Sequence, residues 1–127
     1  MRPNNVIRLY LLMLILHQAH VFEEVWGYSW IVNLFNSVGK FLAINWVLYS
    51  ISVIILYFIL QKRIAGYQLG MLYSLLMILS GVLHITGYLV TSRYFGGFAG
   101  ALSSLGIILI GIPLFISLRR ALPILQW

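Results

Sequence analysis

The chain has 127 residues, of which 62% are hydrophobic and only 8% charged; soluble domains average about 25% charged, so the composition excludes one and indicates a single transmembrane domain over residues 1–127. The net charge of +6 does not indicate nucleic acid, because the eight basic residues stand in ones and twos between apolar runs, with no basic helix face. Cysteine is absent, which excludes disulfides, thiolate ligands and thiol nucleophiles and leaves His, carboxylate, amide or backbone to hold any metal.

The first apolar run covers residues 6–24 and is opened by Arg2 and Arg8. A basic start and a short apolar stretch suit a signal peptide, but no small-x-small cleavage site follows and the run ends in His, Gln and Glu. It is read as an uncleaved first spanning helix. Between residues 25 and 40 the composition turns to Trp26, Tyr28, Trp30, Asn33 and Asn36, with the amphipathic rings that anchor at a membrane interface. Trp30, Leu34 and Val38 recur at i, i+4 and i+8 and predict a short helix along the membrane surface, roofing the outer end.

Residues 41–60 carry no charge and are long enough, at roughly 1.5 Å per residue, to cross a hydrocarbon core of about 30 Å. Gln61-Lys62-Arg63 closes that helix, and Gly66 is expected to turn the chain into a third span at 67–91, with Ser80, Gly81, His84, Thr86 and Gly87. Ser92 to Gly97 makes the next turn. The fourth span, 98–118, contains Pro113, which removes a backbone donor and predicts a kink near the helix end before Arg119 and Arg120 stop it. Small residues spaced by four (Gly96, Gly100, Ser104; Gly97, Ala101; Gly66, Gly70) predict close helix approach, chiefly by the fourth span. The expected fold is an all-α integral membrane four-helix bundle with an interfacial segment between helices one and two.

Arg2, Arg8, Lys62, Arg63, Arg119 and Arg120 fall on one side of this topology, and only Lys40 and Arg93 on the other. Both termini are therefore expected in the cytoplasm. The outer side then holds the most unusual stretch of the chain, His17-Gln18-Ala19-His20-Val21-Phe22-Glu23-Glu24, which contains both acidic residues and two of the three histidines. At about 100° per residue, His17, His20 and Glu24 share a helix face, with Glu23 on the flank one turn above His20. The third histidine, His84, lies about seven residues before the outer end of its helix, roughly 10 Å down, a depth that matches His17. A cluster of His17, His20, Glu23, Glu24, Asn45, His84 and Arg93 is the expected site.

Several chemistries suit such a cluster. Acid–base catalysis would use His20, Glu23, Glu24 and His84, with a buried carboxyl beside a histidine. A metal site would take His17, His20, Glu24 and His84, donors that suit Zn or Fe, although a diiron centre needs more carboxylates than this chain has. A proton or ion path could use the same groups, and a structural cluster would hydrogen-bond across helices. His84 has a separate reading, since Ser80, Gly81 and Gly87 around it could let a flat macrocycle reach an axial imidazole; haem or chlorophyll is that alternative.

His20-Val21-Phe22-Glu23-Glu24 matches H-x-x-E-E, and the chain resembles the small bacterial membrane-protein family named for that motif. The likeness covers most of the chain, from the motif near the end of the first helix to a later His followed by an aromatic and glycine turn. That family's turn tends to read Tyr, apolar, Pro-Gly; here it is Tyr94-Phe95-Gly96-Gly97. The resemblance implies a shared architecture and a shared site, without a reaction. More loosely, His20-x-x-x-Glu24 followed by Val25-Trp26 is similar to the His-x-x-x-Glu segment of the emopamil-binding sterol isomerase family, whose bundle encloses a lipid and moves protons with His and Glu. That likeness implies His20 and Glu24 as the matching pair; the family's further catalytic acid has no counterpart outside the first helix.

The expected function is binding of an apolar small molecule or membrane lipid at an outer-side His/Glu pocket, with acid–base chemistry on it. The alternative is a non-enzymatic accessory subunit of a larger membrane complex or homo-oligomer. The two differ in one feature: a ligand site needs an accessible pocket at the cluster, whereas a structural cluster is closed by its own partners.

Overall fold

The computed structural model describes residues 3–122. Four helices are long and apolar enough to cross a membrane: α1 (Pro3–Trp26), α3 (Val38–Leu60), α4 (Ile64–Thr91) and α5 (Ala101–Ala121). A five-residue helix, α2 (Trp30–Leu34), separates the first two. This is the expected all-α four-helix bundle with a segment between helices one and two.

Because lipid is as apolar as a helix interface, hydrophobicity cannot tell the inside of this bundle from the outside, and small residues do so instead. Leu11, Leu12, Ile15, Leu72, Leu76 and Leu109 face outward, whereas Ser52, Ser74, Ser104 and Ser117 are buried. These serines bond back to carbonyls of their own or the preceding turn, as Ser52 to Tyr49, Ser74 to Met71 and Ser117 to Pro113, at 2.7, 2.9 and 2.6 Å. Each hydroxyl is thus satisfied locally and packs as a small side chain. Gly66 belongs to this set rather than to a turn. It lies in the first turn of α4, where a Cβ would come within 2.6 Å of the Phe58 and Ile59 backbone of α3. The turn itself is made by Lys62, at φ +53°.

Near the basic ends of the helices, Tyr10, Met13, Ile59, Ile107, Leu114 and Leu118 form the main core. The Tyr10 hydroxyl donates to the Ser52 carbonyl at 3.0 Å and ties α1 to α3. Tyr10→Phe removes that bond and keeps the ring, so it is expected to cost about 0.5–1.5 kcal/mol, read as a lower unfolding midpoint in mixed micelles. An unchanged midpoint would show that the bond contributes nothing.

At the other end Val21, Val32 and Phe41 make a smaller cluster beneath α2. The expected stripe along Trp30, Leu34 and Val38 is not the buried one: Val32 is buried and Leu34 exposed, and Asn36, at φ +50°, ends the segment. Val38 belongs to α3, which starts three residues before the expected 41 because the Ser37 hydroxyl accepts from the Lys40 amide at 3.4 Å as its N-cap. The last span also starts later than expected, at Ala101 rather than Phe98. Phe95 and Gly96 leave helical geometry, and Gly100, at φ +110°, sets the new helix direction. The helix then runs through Pro113 to Ala121.

The basic residues Arg8, Lys62, Arg63, Arg119 and Arg120 are exposed on one end of the bundle, and Lys40 and Arg93 on the other. Arg2 lies outside the described residues.

Candidate functional site

The loop before α5 organises the acidic stretch. Gly96 donates its amide to the Gly27 carbonyl at 2.7 Å, and Gly27 lies so close to Ala99 that a Cβ would meet the alanine side chain at 2.2 Å. The end of α1 and the start of α5 are thereby held together. The N-terminus of α5 has no side-chain cap of its own, since its N-cap residue is Gly100. Glu23 fills that role from α1. One carboxylate oxygen accepts from the Leu102 amide at 3.0 Å and from the Tyr94 hydroxyl, and the other accepts from the Ser103 amide at 2.8 Å. Burial, and then the Glu23 carboxylate, push the Tyr94 phenol well above its usual range, so it remains the donor. Glu23 was expected among the acid–base groups; the structure gives it the orphan amides and the positive end of a helix to neutralise.

Glu24 turns the other way, into the bundle, and is 4% exposed. Its Oε1 lies 3.0 Å from His84 Nε2 and 3.7 Å from His20 Nε2. The two imidazoles meet edge to face with ring centroids 4.8 Å apart. His20 is anchored through Nδ1 to the Ser103 hydroxyl at 2.9 Å, and among the described residues its buried Nε2 has no hydrogen-bond partner; Nδ1 of His84 is in the same state. The main-chain bend at Gly100 fits between the rings, where a Cβ would stand 2.7 Å from His20 Cε1 and 2.9 Å from His84 Nδ1.

The structure therefore brings together the ligand atoms of His20, Glu24 and His84, and gives the other expected members separate hydrogen-bond partners or an exposed position. His17 is buried a turn deeper and pairs through Nδ1 with the Tyr73 hydroxyl at 2.9 Å. Asn45 donates to the Phe41 carbonyl of its own helix at 3.0 Å. Arg93 is exposed in the turn after α4 and makes no ion pair with either glutamate among the described residues. The small residues beside His84 do not open a slot for a macrocycle. A Cβ on Gly87 would strike the Phe98 ring at 2.1 Å, and one on Gly81 would meet Ile108 and the Ser104 carbonyl at 3.2 and 3.3 Å. Protein packs against Gly81 and Gly87, so neither glycine leaves room beside His84 for a haem or chlorophyll.

A groove of about 390 Å³ lies between α1, α3 and α4. Its walls are apolar, with Ile44, Leu48, Ile51, Leu72 and Leu76 at its outward-facing rim. Its polar surface comes from His17, His20, Glu24, Asn45 and Tyr73, among others. Tyr73 and Ser103 were not singled out from the sequence. An isolated Tyr or Ser in an apolar run carries no periodic signal, and only the helix packing aims these two at histidines. The capping role of Glu23 had a faint signal in Gly96-Gly97-Phe98-Ala99-Gly100, a helix entry lacking Ser, Thr, Asp or Asn. No family model, curated protein or solved structure matches the chain.

Proposed function

We propose that this membrane protein binds an apolar, membrane-dissolved molecule, a lipid or a compound of similar character, in the groove between α1, α3 and α4. Its polar group would meet Glu24 and the neighbouring histidines, which would carry out acid–base chemistry on it. Both termini are cytoplasmic in this reading, by the excess of basic residues at that end of the bundle, and the groove, lined by Phe41 to Ile55 of α3 and Leu69 to Ser80 of α4, runs from the outer end past the middle of the bundle. The observation that carries the reading is the groove itself. Its volume of about 390 Å³ lies within the range of roughly 300–1,000 Å³ common for ligand pockets. A purely structural cluster would be closed by its own partners, whereas Glu24 and His20 line an open groove. The looser sterol isomerase likeness supports the same class of chemistry, and the H-x-x-E-E resemblance supports a shared site without a reaction.

The test uses a photoactivatable lipid analogue with a single hydroxyl, presented in nanodiscs. Labelling is expected on α3 and α4 at the groove rim. Leu76→Trp, which fills the groove, should lower it at least tenfold, and Glu24→Gln should lower it similarly while the protein elutes and melts as the parent does. Labelling spread evenly over the outer surface, or unchanged in both variants, would overturn the proposal.

A further inference from the structure

We infer that His20, Glu24 and His84 form a binding site for a single divalent transition-metal ion of the Zn(II) or Fe(II) type. One ligand atom from each residue lies within 4.8 Å of the other two, and all three residues are buried. Metal–ligand bonds of roughly 2.0–2.1 Å place tetrahedral donors roughly 3.3 Å apart. The Glu24 contacts with His84 and His20, at 3.0 and 3.7 Å, bracket that spacing. The remaining edge, between the ligand atoms of the two histidines, is within 4.8 Å. Two neutral nitrogen donors and one carboxylate suit Zn(II) and Fe(II), and with no thiolate in the chain they disfavour softer ions.

Two further features indicate a cation rather than hydrogen bonding alone. Nε2 of His20 is buried, lacks a hydrogen-bond partner among the described residues and faces the Glu24 carboxylate from beyond hydrogen-bonding reach. A polar atom so placed is costly unless something sits between it and the carboxylate. The other nitrogen of the same ring is held by Ser103 at 2.9 Å, the kind of outer contact that orients a metal-binding imidazole. Glu24 itself is buried, and among the described residues only the two histidines pair with it as bases. A buried carboxyl with no Lys or Arg beside it is costly to ionise unless a positive charge is supplied, and an ion between it and the imidazoles would supply one. His17 stays outside this set, since its Nδ1 is engaged by Tyr73. Three protein ligands leave a coordination position free, and His20 and Glu24 also line the groove. The inference shares Glu24 and His20 with the proposed lipid site but does not depend on what occupies the groove.

The test titrates the full-length protein, stripped with chelator and held in detergent, with Co(II) and Zn(II) alone. One equivalent of Co(II) is expected to bind, with the visible absorption of a low-coordinate N/O site, and one equivalent of Zn(II) to displace it. His84→Ala and Glu24→Gln should weaken binding at least a hundredfold. Ser103→Ala, which removes the support of His20 together with the hydroxyl's bond to the Gly100 carbonyl, should weaken it about tenfold, and His17→Ala should leave it within threefold of the parent. Should His84→Ala fail to fold, Glu24→Gln and Ser103→Ala carry the same comparison. Absence of stoichiometric Co(II) binding, retention of parental affinity in Glu24→Gln, or an equal loss in His17→Ala would each overturn the inference. Leu76→Trp separates the two readings, because it should abolish groove labelling and leave Co(II) binding intact. Groove labelling without metal binding sinks the ion site alone, and metal binding without groove labelling sinks the lipid site alone.

Discussion

Gly100→Ala is expected to destabilise the protein by about 3 kcal/mol, through two independent terms. At φ +110° the backbone is in a region that a Cβ disfavours, and the added methyl would also stand 2.7 Å from His20 and 2.9 Å from His84. The rings cannot retreat freely, since His20 is held by Ser103 and His84 by Glu24. Gly96→Ala separates the terms. Gly96 has φ +70° but nothing within 4 Å of the added Cβ, so only the backbone cost of about 1–2 kcal/mol applies. Denaturant titration of both variants in mixed micelles measures the difference. Equal losses in the two would mean that the imidazoles are not packed against the bend.

Glu23→Ala is expected to cost about 2–4 kcal/mol, because it strands the Leu102 and Ser103 amides and the Tyr94 hydroxyl at once. Glu23→Gln keeps one oxygen to accept from an amide, so it should cost roughly half as much. Tyr94→Phe should cost less again, about 1 kcal/mol, since both amides remain capped. The same unfolding assay ranks the three, and protection of the Leu102 and Ser103 amides from hydrogen exchange should fall in Glu23→Ala. A Glu23→Ala protein as stable as the parent would remove the carboxylate from its capping role.

The spans were legible in the sequence because a membrane helix is identified by length and absence of charge, and both survive any packing arrangement. The ends were less so. Ser37 and Lys62 move α3 and α4 outward by cap and turn geometry, and Gly96 and Gly100 delay α5 through positive φ, all of which are local backbone choices invisible to hydropathy. The polar stretch in α1 was equally legible, but its division of labour was not. Helical spacing places Glu23 and Glu24 about 100° apart, and only the positions of α4 and α5 decide that one faces a helix terminus and the other two imidazoles. His17 shared a face with His20 in the sequence, yet Tyr73, on a helix whose rotation no periodicity reveals, draws it to a separate partner.

The way Glu23 reaches the start of α5 also bears on how the protein is made. Its partners Leu102 and Ser103 come 79 and 80 residues later in the chain, which at roughly 5–20 residues per second means several seconds of synthesis. Throughout that interval Glu23 lacks its amide partners and His20 lacks Ser103, whereas Tyr73 and His84 reach His17 and Glu24 earlier. The first helix must therefore wait with its polar end in the wet interface or in the care of the insertion machinery, and the arrival of the last helix locks it in place. A chain truncated after α4 would lack the two amides that Glu23 accepts from and would leave that end of α1 open.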